Sequence, residues 1–229
     1  MFTSVCVVGS GRVGRAFAAR LGESLPTRST GRALACRDAD LVVLCVPDRA
    51  VAEVAQSIAP GPWIAHTSGA RRLDALAPHE RRFSLHPLQT FTLAAGPGQL
   101  DGAWAAVSGE SEEARAAGRE LARLLRVRPF ELDDAERPLY HAGAVVAASF
   151  LVTLHEAAAE LFEAAGAPPD ALEPLMRRTM DNGFAPTGPH VRADWETIEE
   201  HRLAIRARRP QLEPLYEALT AATMTLAAT

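Results

Sequence analysis

The feature that most constrains this chain is a glycine-spaced turn set between a β-branched run and a helical pattern. Val5-Cys6-Val7-Val8 runs into Gly9-x-Gly11-x-x-Gly14, and Arg12–Leu21 continues with helical periodicity. The first glycine permits a tight turn, the second lets backbone approach a pyrophosphate, and the third lets helix and strand pack closely. The N–H groups and positive dipole end of the new helix then attract phosphate. The glycine spacing alone is a weak signal. Strand, turn and helix in this order predict a dinucleotide site built from Gly9, Ser10, Gly11, Arg12, Val13 and Gly14.

The rest of the N-terminal pattern alternates strand-like and helix-like segments, as a parallel α/β sheet does. Strands are predicted at Val5–Val8, within Ser24–Ser29, and at Ala39–Val46, Trp63–His66, Arg82–Leu85, Ala103–Val107 and Val127–Leu132. Helices are predicted at Arg12–Leu21, Arg32–Arg37 and Val51–Ile58, and from a Ser111 cap to about Arg126. Beyond Asp133 only helical patterns occur: Glu136–Ala165, Asp170–Asp181, and Asp194–Leu226 with breaks at Pro210 and Pro214. The expected architecture is a Rossmann domain with a parallel sheet over 1–132, then a smaller all-α domain over 133–229. The crevice between them is the expected site.

Composition removes several alternatives. A net charge of −4 offers no footprint for nucleic acid or an anionic membrane. No stretch reads as long enough to span a bilayer. All 24 basic residues are arginine, which excludes Schiff-base chemistry, a P-loop lysine and a lysine acid. Cys6, Cys36 and Cys45 are odd in number and lack metal-ligand spacing; Cys6 and Cys45 sit in apolar runs as buried free thiols. These features imply a reducing, cytoplasmic setting. No histidine pair has ligand spacing, so no metal is expected.

Several residues are placed to carry chemistry. A Rossmann second strand commonly ends in an acid that holds the adenosine ribose. Here the region reads Thr27-Arg28-Ser29-Thr30, with no acid, and an arginine with two hydroxyls suits a 2′-phosphate. NADP is therefore expected over NAD. Val46 and Pro47 should run beneath the cofactor, with Thr67 and Ser68 near its reactive end. His86, clamped before Pro87 at a strand end, is either a cleft residue or a structural one. His141, Val145 and Ser149 are spaced by four, one stripe of an otherwise apolar helix, and its two polar groups favour a cleft. His79, His155 and His201 read as surface or core-edge residues. Ala142–Leu154 is apolar nearly all round and should be buried on most sides, which is more cover than the companion helices of one small domain give, so a homodimer built through the helical domain is expected.

Asp38–Asp48, His66-Thr67-Ser68-Gly69, Ser84–Phe91, Tyr140-His141 and Thr187-Gly188-Pro189 with Arg192-x-Asp194, added to the glycine turn, resemble the Rossmann-like proteins with a DUF2520 domain. That family is a branch of the 6-phosphogluconate dehydrogenase-like reductases, which include ketopantoate reductase and pyrroline-5-carboxylate reductase. The resemblance covers nearly the whole chain. It implies an NADP-dependent reductase acting on a small C=O or C=N substrate, in its most specific form a 2-oxo acid. By resemblance His141 stands where relatives place a catalytic lysine, and Ser149 where an asparagine is usual. It implies His141 as proton donor with His86 as the alternative, Arg192 as partner of a substrate carboxylate, and Ser149, Gln89 and Thr187 as substrate contacts. The usual Arg-Gly-Asp reads Arg192-Ala193-Asp194. The serine at 149 also leaves open a dinucleotide-binding sensor or partner-binding module without turnover.

Overall fold

The computed structural model describes residues 2–31, 36 and 38–227. The helix expected over Arg32–Arg37 lies outside the described residues, apart from Cys36. The chain divides into two compact units, Met1–Val146 and Ala147–Thr229.

The first unit is a seven-stranded sheet in the order β2-β1-β3-β4-β5-β6-β7 among the described residues. The strands are β1 (Val5–Val8), β2 (Thr27–Thr30), β3 (Leu41–Leu44), β4 (Trp63–His66), β5 (Arg82–Pro87), β6 (Trp104–Ser108) and β7 (Arg128–Glu131). β1 to β5 are parallel, whereas β6 runs antiparallel to β5 and β7 runs parallel to β6. The sheet is thus mostly parallel, as expected, with one antiparallel pairing. The Gly96–Leu100 region returns the chain without a full crossover helix: the segment between β5 and β6 holds only a 3₁₀ turn, Pro97–Leu100.

Alternation along the strands divides the core between the two faces. Val5, Val7, Leu41, Val43 and Ala65 join Phe17 and Leu21 of α1 (Arg12–Gly22) and Leu121 and Leu125 of α3 (Glu112–Leu125). Cys6, Val8, Val42, Leu44 and Ile64 join Val51 and Ala55 of α2 (Val51–Gln56) on the other face. Each fully buried large side chain contributes about 1.5–3 kcal/mol. Ser111 caps α3, accepting from the N–H of Ala114 at 3.1 Å, as its sequence predicts.

Cys6 and Cys36 form a disulfide with Cα atoms 5.5 Å apart, leaving Cys45 as the free cysteine. This corrects the expectation of free thiols and removes the argument from them to a reducing compartment. His79, expected at the surface or core edge, is instead buried, with its Nε2 2.9 Å from the carbonyl of Ala55.

The boundary between the units falls inside the long helix, past the expected division at 132. α4 (Arg137–Val145) belongs to the sheet unit, and a π-helical turn over Val146–Phe150 leads into α5 (Leu151–Ala165). The helical unit continues with α6 (Leu172–Asp181), α7 (Trp195–Arg208) and α8 (Glu213–Ala227), the last two divided at Pro210. The helical run Asp134–Ala165 corrects two expectations, that no stretch is long enough to span a bilayer and that Ala142–Leu154 is buried on most sides: none of residues 142–154 is buried. Its most apolar 18-residue window has a mean hydropathy of 1.5, enough by length and composition to cross a membrane, and none of that window is buried.

Candidate functional site

The carboxyl end of β1 carries the glycine turn. Gly9 has φ +125°, and a Cβ there would strike the carbonyl of Cys45. A Cβ on Gly14 would strike the carbonyl of Gly9, so helix and turn meet at a distance only glycine allows. Around Gly11 the position of a Cβ is open space, and Gly11 caps α1 without any side chain bonding the helix's first turn. A cradle that lacks side chains and presents backbone N–H groups fits a pyrophosphate. Ser10 and Arg12 are exposed here, Val13 is half-buried, and the Ser10 carbonyl accepts from Arg15 Nε at 3.0 Å.

β2 ends at Thr30, whose carbonyl accepts from the N–H of Gly9 at 2.9 Å. Arg28 is registered with Cys6, two residues back from that edge. It lines a cavity of about 300 Å³ with Ser4, Pro26 and Asp38, near the strands' amino ends. Of the expected trio Arg28, Ser29 and Thr30, it is therefore Thr30 that stands beside the glycine turn.

The ends of β3 and β4 are braced by backbone. Val46 is half-buried and Pro47 exposed just past β3. Thr67 donates from its N–H to the carbonyl of Leu44 at 3.2 Å, and the Ser68 hydroxyl accepts from the N–H groups of Ala70 and Arg71 at 3.2 and 3.0 Å. The hydroxyl thus shapes the turn after β4, a use that a list of cofactor-facing residues does not anticipate.

Next to this turn lies a cluster that sequence reasoning assembled only in part. A Cβ on Gly69 would lie 2.5 Å from Cδ2 of His141 and 2.9 Å from Cε1 and Nε2 of His86. The two imidazoles have ring centroids 6.1 Å apart. Nδ1 of His86 is 2.7 Å from the hydroxyl of Tyr140, whose ring packs edge-on between His86 and Phe130. Both His86 and His141, the two expected catalytic histidines, thus meet over a glycine at the carboxyl end of β4.

Arg137, fully buried, holds this arrangement in place. Its Nη1 donates to the carbonyls of Ser68 at 3.0 Å and Gly69 at 3.4 Å. Its Nη2 donates to the hydroxyls of Ser84 and, at 3.1 Å, Ser108, while Nε pairs with Asp134 at 2.9 Å. The other oxygen of Asp134 accepts from the N–H of Leu73 at 3.0 Å. One guanidinium therefore ties the turn after β4 to β5, β6 and the start of α4. The buried positive charge also acts on its neighbours. Burial, then His141 and Arg137, push the His86 imidazole down to about 4, with Asp48 opposing. Burial and Arg137 push His66 down to about 3, and burial pushes the Tyr140 phenol up to about 12. At neutral pH His86 and Tyr140 are a neutral pair.

Gly69, Arg137 and Tyr140 carry no assigned role in the sequence reading. Tyr140 was legible through its adjacency to His141; Arg137, in an ordinary-looking helix start, gave no signal. The Gln89 amide is used locally, donating to the carbonyl of Gln99 at 3.0 Å and accepting from the N–H of Thr90 at 2.9 Å. Ser149 lies in the π-helical turn, and Thr187 and Arg192 lie in the loop before α7; all three are exposed and belong to the helical unit.

The sequence matches the family described as Domain of unknown function (DUF2520) over residues 103–223. No functionally curated protein matches it. Among solved structures, a Bacteroides fragilis protein named provisionally as an NADP oxidoreductase is similar at a TM-score of 0.80 and 22% identity, covering 97% of this chain and 98% of its own. 1-Pyrroline-5-carboxylate reductase from Streptococcus pyogenes is similar at 0.63 and 17% identity, covering 98% and 97%. A reductive aminase from Aspergillus terreus, in complex with NADPH4, cyclohexanone and allyl amine, is similar at 0.65 and 18% identity, covering 97% and 95%. At these identities the likeness establishes the Rossmann sheet with its helical companion. With more than half of its length inside the family match, the chain belongs to the DUF2520 family.

Proposed function

We propose that the protein is an NADP-dependent reductase acting on a small C=O or C=N substrate. The observation that carries this reading is a shared edge. The glycine cradle after β1 and the His86–His141 pair beside Gly69 stand at the carboxyl ends of parallel strands of one sheet, where open α/β sheets bind their ligands. A bound reduced nicotinamide cofactor supplies hydride. The chain supplies the pyrophosphate cradle and, from the imidazole pair, the proton that the newly reduced atom requires.

Preference for NADP follows from charge. Residues 26–37 contain three arginines and no carboxylate, so the sequence through and after β2 sets no like charge against a 2′-phosphate. The named activities of the similar reductase and reductive aminase favour the same chemistry. For the substrate we favour a 2-oxo acid, as in ketopantoate reduction. We further propose a cytoplasmic homodimer built through the helical unit.

Fluorescence titration with NADPH and NADH, followed by NADPH oxidation against a panel of 2-oxo acids and cyclic imines, tests the reading. NADPH should bind at least roughly tenfold more tightly than NADH. Thr30→Asp should reverse that preference by placing a carboxylate beside the glycine turn, whereas Arg28→Ala should keep it. Equal affinities in the unaltered protein would overturn the cofactor assignment. Tight NADPH binding without oxidation by any substrate would favour a dinucleotide-binding module without turnover.

A further inference from the structure

Resting on the reductase reading, we propose that Tyr140 is a positioning residue that fixes the tautomer of His86. Its hydroxyl donates to Nδ1, so that the proton of His86 sits on Nε2, the nitrogen turned toward Gly69 at the carboxyl end of β4, and this N–H protonates the reduced atom of the substrate.

The direction of the 2.7 Å bond follows from the two partners. A phenol is a stronger acid than a neutral imidazole N–H, and an imidazole nitrogen is a better acceptor than a phenol oxygen. The hydroxyl therefore donates, Nδ1 accepts, and Nε2 keeps the hydrogen. The edge-on contacts of Tyr140 with His86 and Phe130, at centroid distances of 5.6 and 5.9 Å, hold the hydroxyl in that alignment. The Nε2–Cε1 edge is turned toward Gly69 and packs so close to it that a methyl group on residue 69 would come within 2.9 Å.

This arrangement changes the kind of acid His86 can be. The groups facing it are Tyr140, His141 and Arg137 from α4, His66 on β4, and Asp48 after β3. Burial, then His141 and Arg137, keep its imidazole neutral, so an imidazolium is not the donor at neutral pH. The proton step instead passes through a neutral ring. A bound reduced nicotinamide would supply hydride to the substrate carbon, and the C=O π pair would move to oxygen. The Nε2–H bond then breaks, its electron pair stays on nitrogen, and the proton goes to that oxygen. Nδ1 takes the Tyr140 proton as Nε2 gives up its own; solvent then returns a proton to Nε2 and the Nδ1 proton passes back to the phenolate, restoring the Nε2–H tautomer. For an imine the nitrogen takes the place of the oxygen.

The test uses the full chain. Nitrogen-15 histidine spectra of the cofactor-free protein should show His86 as the Nε2–H tautomer with a hydrogen-bonded Nδ1, and Tyr140→Phe should abolish that signature. With a substrate found by the panel, Tyr140→Phe should lower kcat roughly tenfold or more without changing the KM for NADPH. The double variant Tyr140→Phe/His86→Gln should be no slower than His86→Gln alone. The unaltered enzyme should keep a flat kcat from about pH 6 to about pH 9, where an imidazolium donor would lose activity. An Nδ1–H tautomer in the unaltered protein, or an unchanged tautomer in Tyr140→Phe, overturns the proposal. Failure of every panel substrate would refute the reductase reading instead, because the tautomer is read without turnover.

Discussion

Arg137 answers needs that four other groups cannot meet for one another. The carbonyls of Ser68 and Gly69 and the hydroxyls of Ser84 and Ser108 converge on its buried guanidinium. Removing it leaves buried acceptors without donors, each a cost on the order of 1–3 kcal/mol, and strips Asp134 of its partner. We expect Arg137→Ala to lower unfolding free energy by about 3 kcal/mol or more in urea titrations. Arg137→Lys should recover only part of this, because an ammonium cannot reproduce a planar fork. Nothing in the run Asp133-Asp134-Ala135-Glu136-Arg137-Pro138 distinguishes this side chain from a solvated helix start. His86 and His141 were legible because an imidazole near an apolar pattern demands a reason. An arginine among acids does not, and its burial depends on hydroxyls far along the chain.

Strand and helix positions were legible wherever composition alone sets them. Val5–Val8 and Trp63–His66 appear with the predicted bounds because each is a short apolar run closed by turn residues. The reversal of β6 was not legible, since a buried strand reads alike in either direction. The end of β2 was misplaced because Thr27–Thr30 is polar and lies on a sheet edge, without an apolar pattern to mark its bounds. The glycine turn allows a test that separates folding from binding. Gly14→Ala would drive a Cβ into the Gly9 carbonyl, so thermal stability and NADPH affinity should fall together. Gly11→Ala meets open space at φ −70°, so its Tm should stay near that of the unaltered protein. Its methyl group would still stand where a phosphate needs bare backbone, and NADPH should bind at least roughly tenfold more weakly. Equal binding by Gly11→Ala and the unaltered protein would refute the cradle.

The helical unit exposes more apolar surface than a lone chain commonly tolerates. Phe150, Val152, Leu175 and Leu203 are each more than half exposed. A bilayer is a poor cover, because Glu156, Glu160 and Glu163 lie along α5. A second copy is the better one, and sedimentation should give twice the 24.5 kDa chain mass at micromolar concentration. Phe150→Glu/Val152→Glu should shift the protein toward single chains, and a monomer in the unaltered protein would sink the proposal. The guanidinium also bears on how this protein can be divided and inherited. The family match begins at Ala103, so it takes up β6, α3 and β7 with Arg137, yet leaves behind Ser68, Gly69 and Ser84. A gene fusion that moved the matched segment alone would carry away the donor and orphan its acceptors. A fragment cut at that point would therefore leave the first five strands with buried acceptors at the end of β4 and on β5 that no group of their own satisfies.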